Sequence, residues 1–136
     1  MTNYVIETHD LTKKYGSQVS VSHLNVHVKR GRIYGLLGRN GAGKTTTMRM
    51  LLGLTAPTSG EVSIFGKPFV GNEKKLLPRI GCLIESPGFY PNLTATENLK
   101  IFAELRGLKN PNYIKGALEL VNLPYRDKKL FSPYSL

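Results

Sequence analysis

Between positions 38 and 45 the chain reads Gly38-Arg39-Asn40-Gly41-Ala42-Gly43-Lys44-Thr45, which satisfies the phosphate-binding loop pattern G-x-x-x-x-G-K-[ST] at every fixed position. The pattern needs a strand before it and a helix after it, and both are readable. Ile33-Tyr34-Gly35-Leu36-Leu37 is a nearly continuous apolar run, as expected of a buried parallel strand. Met48, Leu51 and Leu52 recur at i, i+3 and i+4, one face of a helix ending at Gly53. The glycines let the main chain approach an anion closely, and the helix start adds roughly half a positive charge. Lys44 is expected to reach the β- and γ-phosphates. The Thr45 hydroxyl is a hard oxygen ligand for the accompanying Mg2+. The amides of the first turn, and the Thr46 hydroxyl, can meet the α-phosphate. A turn that merely joined strand to helix would give Lys-Thr no purpose there.

The rest of the chain arranges itself around this loop. Tyr4 to Glu7 is β-prone, and a polar stretch leads on to Tyr15-Gly16. Val19 and Val21, then Leu24, Val26 and Val28 after a break at Ser22-His23, alternate as in an antiparallel sheet with one buried face. Residues 56–60 form a turn, Glu61 to Phe65 a strand, and Asn72 to Leu77 a single helical turn closed by Pro78. Ile80-Gly81-Cys82-Leu83-Ile84 is a second apolar run, ending at Glu85. Parallel strands place their following loops on one edge of a sheet. Glu85 is therefore expected to face the phosphate loop, as a direct or water-mediated Mg2+ ligand or as a solvated strand-end glutamate. Phe89 and Tyr90 either contact a partner or pack on the next helix. That helix starts with a capping box at Thr94-Ala95-Thr96-Glu97, runs to about Arg106 and stops at Gly107. Asn110-Pro111 caps another with a stripe of Ile114, Ala117, Leu118 and Val121. Two divisions result: residues 1–93, the core with the loop, and residues 94–136, the start of a helical lobe.

Composition narrows the alternatives. The 136 residues suit one small domain or part of a larger one, with no apolar run near the ~20 residues that span a bilayer. The N-terminus has no basic-then-apolar leader, so the cytoplasm is expected. The lone Cys82, inside an apolar run, reads as a small buried hydrophobe. His9, His23 and His27 lack ligand spacing and read as surface or strand residues, not a metal site. A net charge of +10, from 19 Lys and Arg against 9 Asp and Glu, raises nucleic acid as a partner. The cations are dispersed, however, and no aromatic RNA-binding signature accompanies them, so a solvated surface is expected and no nucleic acid.

Taken together these stretches resemble the nucleotide-binding subunits of ATP-binding cassette transporters over the full chain. The resemblance implies an α/β P-loop NTPase domain, its N-terminal part: an antiparallel β subdomain, a partial parallel-sheet core and the start of a helical subdomain. Leu11-Thr12-Lys13-Lys14-Tyr15-Gly16 looks like the family's opening motif, which assigns Tyr15 to stacking on adenine. Arg39, Asn40 and Ala42 match the family's usual loop filling. Glu85 stands where the family has its Q-loop glutamine. Residues 80–94 look like the bacitracin and lantibiotic exporter branch, which carries glutamate there. The implied cofactors are ATP and Mg2+, and the implied partners a membrane-spanning permease and a second nucleotide-binding subunit. The implied location is the inner face of the cell membrane. Ser135 matches the serine that opens the family's signature motif; the acidic strand, catalytic glutamate and switch histidine have no counterpart in this chain. No catalytic residue is assigned, and exposed strand edges imply a tendency to aggregate. A non-catalytic nucleotide-binding fragment and a cassette ATPase acting on nucleic acid are the rival readings. A small-molecule kinase leaves Tyr15 and Glu85 without a role.

Overall fold

Strand β1, Tyr4–Tyr15, is the spine of the first of two compact units, residues 1–84 and 85–136, in a computed structural model that describes residues 3–84, 88–125 and 127–131. Along one edge β1 pairs antiparallel with β2 (Gln18–Leu24) and β3 (His27–Lys29); along the other it pairs with β4 (Ser59–Ile64), which carries β5 (Lys67–Pro68). The polar stretch after Glu7 thus continues as strand. It can do so because two buried threonines replace missing ladder bonds. Thr8 Oγ1 donates to the Leu24 carbonyl (2.8 Å) and accepts from the Val26 amide (2.9 Å). Thr12 Oγ1 donates to the Asp10 carbonyl and accepts from the His23 amide, both at 3.0 Å. The break between β2 and β3 falls at residues 25–26, later than the spacing suggests, where the Thr8 hydroxyl bridges it.

Leu11, Val21, Met50, Val62, Ile64, Phe69 and Leu76 form the core beneath this sheet. Helix α1, Lys44–Leu51, supplies Met50. Its buried residues are Thr47 and Met50, while Met48 is 40% exposed, so the expected Met48-centred stripe is rotated. Thr47 tolerates burial because its hydroxyl donates to the Gly43 carbonyl at 2.9 Å. The short α2, Glu73–Leu76, buries Leu76 and runs into a 3-10 turn, Leu77–Arg79, holding Pro78.

The two apolar runs expected as parallel strands are unpaired: residues 33–37 and 81–84 join no ladder among the described residues. Ile33 is 104% exposed, Leu37 93% and Leu83 68%, and Cys82 is exposed, contrary to its expected burial. The reason is cooperative. A parallel strand is held by ladders at its edges and cover on its faces, and the antiparallel sheet spends its pairing on its own members. Residues 80–84 instead line an open apolar hollow of about 430 Å3 with Val5, Met48, Leu51 and Ile64. Glu7 brings a carboxylate between two of the histidines, 3.5 Å from His9 Nε2 on the same strand and 3.6 Å from His27 Nε2 on β3, the second a cross-strand contact that local spacing does not reveal.

The second unit holds α3, Ala95–Leu105, and α4, Asn112–Leu120. The capping box is formed: the Glu97 amide donates to Thr94 Oγ1 (3.2 Å), and the Thr94 amide donates to the Glu97 carboxylate (2.8 Å). Ile114 and Leu118 are buried, whereas Ala117 and Val121, expected in the same stripe, are exposed. Phe89 packs edge-on against Phe102 and Phe131, with ring centroids 5.4 and 5.0 Å away. Tyr90 is 53% exposed, but its backbone is clamped: its amide donates to Asn98 Oδ1 (2.8 Å), and its carbonyl accepts from Asn98 Nδ2 (3.0 Å). No helix among the described residues is long and apolar enough to cross a membrane.

Candidate phosphate-binding site

The segment from Gly38 to Thr46 is a turn closing into a helix. The Ala42 amide donates to the Arg39 carbonyl (3.1 Å), which curls the chain back on itself. Gly41 and Gly43 have φ of 83° and 87°, a region costly to side-chain-bearing residues. At Gly43 space forbids a side chain as well: an added Cβ would lie 2.4 Å from the Ser20 carbonyl oxygen and 2.9 Å from a Val21 methyl. The loop is therefore seated directly on β2.

Lys44 bends back over the turn it leaves, its Nζ donating to the carbonyls of Gly38 (2.5 Å) and Arg39 (2.8 Å). The ammonium group thus braces both ends of the loop. The amides of Gly41, Gly43, Lys44, Thr45 and Thr46 take no protein acceptor among the described residues. The first turn of α1 carries no acidic side chain, so the positive end of the helix dipole is not neutralised locally. Unmet donors, a cation and an open helix start are the chemistry that suits an oxyanion. Thr45 is exposed and half-buried Thr46 accepts a 3.2 Å bond from the Ser20 hydroxyl.

Of the other residues expected in the site, Tyr15 ends β1 at the hairpin turn into β2, paired with Gln18. Its ring is 52% exposed, with Lys13 Nζ 5.0 Å from the centroid. One hairpin thus carries both Tyr15 and the Ser20-Val21 seat of the loop. Glu85 and Ser135 lie outside the described residues. Ser20 was not legible in sequence, since only strand pairing brings it to the loop and it shares the polar face of the alternation with Ser22.

The fold and site define a class: a P-loop nucleotide-binding domain, here represented among the described residues by its antiparallel sheet, loop helix and three further helices. A solved structure described as an ATP binding subunit of ABC transporter superposes with a TM-score of 0.79 at 29% identity, over 96% of this chain and 56% of that one. Residues 21–136 match the ABC transporter family. The chain belongs to that family. Among curated relatives, it is 59% identical over 132 residues to the bacitracin transport ATP-binding protein BcrA of Bacillus licheniformis, and 53% identical over 133 residues to that of Enterococcus faecalis. These alignments cover 97% and 98% of this chain and 43% of each relative. The chain therefore spans less than half the length of the relatives it matches.

Proposed function

We propose that this chain supplies the ATP-binding part of the motor of an ATP-binding cassette exporter acting on peptide antibiotics or drugs, and that it binds MgATP through residues 38–46. The observation that carries this is the curled Gly38–Thr46 segment with its five open amides, braced by Lys44. In this reading Gly41 and Gly43 shape the cup, Arg39, Asn40 and Ala42 fill the turn, and Lys44 exchanges its carbonyl partners for the β- and γ-phosphates. Thr45 and Glu85 are the oxygen ligands for Mg2+, and Thr46 serves the α-phosphate. Tyr15 offers its exposed face to adenine. The exporter assignment is supported by the relatives named for bacitracin transport. Residues 1–93 form the nucleotide core and residues 94–136 the beginning of the helical lobe. A membrane-spanning permease and a second nucleotide-binding subunit are the partners, at the inner face of the membrane. Hydrolysis requires the acidic strand, catalytic glutamate and switch histidine that the family supplies, and no residue of this chain is given that role.

The test is equilibrium binding of MgATP to the chain and to its Lys44→Ala variant. Affinity should fall at least about tenfold, the value of one strong charge-assisted bond. Equal affinity in the two proteins refutes the site.

A further inference from the structure

We propose that Ser20 is a positioning residue of the phosphate site, holding the Thr46 hydroxyl so that one O–H is presented to an oxygen of the bound nucleotide; this rests on the MgATP reading above. Ser20 lies on β2, 26 residues before Thr46, and its Oγ donates to Thr46 Oγ1 at 3.2 Å. The two hydroxyls own two protons and share one between them. Neither hydroxyl has another partner among the described residues. Whichever way the shared bond points, one proton is left over for an incoming acceptor. The next residue behaves differently: the Thr47 hydroxyl donates to the Gly43 carbonyl and is consumed within the helix. The Thr46 hydroxyl, by contrast, makes no bond into the helix ladder, and Ser20 is its one partner among the described residues.

Geometry at the main chain supports the same role. The Ser20 carbonyl oxygen is the atom that a Gly43 side chain would strike. The strand therefore fixes the loop twice, through main-chain contact at Gly43 and through the hydroxyl pair at Thr46. The amides of Thr45 and Thr46, open beside that pair, would share the same ligand oxygen.

A double-mutant cycle on the full chain tests this, with MgATP binding measured by calorimetry for wild type, Ser20→Ala, Thr46→Val and the double variant. Ser20→Ala should weaken MgATP about three- to tenfold, as for one hydrogen bond. In the Thr46→Val background the same change should cost less than about 1.5-fold, and Ser20→Thr should restore affinity to within about twofold. Far-UV circular dichroism accompanies each measurement. An unchanged Ser20→Ala affinity, an equal cost in both backgrounds, or a loss that tracks lost ellipticity would overturn the proposal. Failure of the underlying reading looks different: Lys44→Ala would then bind as wild type does.

Discussion

Gly43 and Gly41 share a left-handed backbone but not a neighbourhood, and substitution separates the two costs. Alanine at Gly41 meets open space and pays only for its φ of 83°, roughly 1–2 kcal/mol. Alanine at Gly43 adds a clash with the Ser20 carbonyl, for a total of about 2–4 kcal/mol. Urea unfolding should rank the variants in that order, and a Gly43→Ala midpoint equal to that of Gly41→Ala would contradict the seating of the loop on β2. The turn at Gly41 and Gly43 and the helix start at Lys44 were legible because their residues stand at the fixed spacing of one motif. Ser20 was not, because its relevance depends on where a hairpin puts it.

At the scale of elements, α3 shows how local signals and tertiary ones divide the work. The capping box was readable from Thr94 and Glu97, and Thr94→Ala should cost about 1 kcal/mol in unfolding experiments. Hydrogen bonds from the Thr94 amide, and then from its hydroxyl, hold the Glu97 carboxyl below its ordinary value of 4.5. The group is lowered on folding, so its contribution is complete above pH 4.5 and fades as pH falls through the folded value. Helicity of α3 in a Glu97→Gln variant should therefore depend less on pH below 4.5 than in the parent. Asn98, 1% exposed, escaped the apolar pattern because a polar residue on a helix reads as solvent-facing. It is buried because the Tyr90, Leu93 and Thr94 backbone takes up its hydrogen bonds. Asn98→Ala should cost about 1–3 kcal/mol and abolish hydrogen-exchange protection of the Tyr90 amide.

For the whole molecule, the consequential feature is the pair of uncovered apolar runs. Ile33, Leu37 and Leu83 expose apolar surface that ordinary monomers cover. The isolated chain should self-associate at micromolar concentration, seen as rising light scattering on warming. Lysine at Ile33 and Leu83 together should suppress that scattering without lowering the melting midpoint by more than a few degrees, since both side chains are mostly exposed. A monomer that scatters no more than the lysine variant, with one sharp transition, would contradict this.

Residue chemistry and local periodicity by themselves determined the curled turn into α1, the capping box that starts α3, and the strands built on alternating valines and isoleucines, because these depend on neighbours a few positions away. Tertiary structure alone decided which apolar runs become strands, which face of α1 is buried, and that Ser20 meets Thr46 and Glu7 meets His27. Those outcomes turn on ladders and cover contributed by distant segments, and a run such as residues 33–37 carries the composition of a buried strand whether or not anything lies beside it.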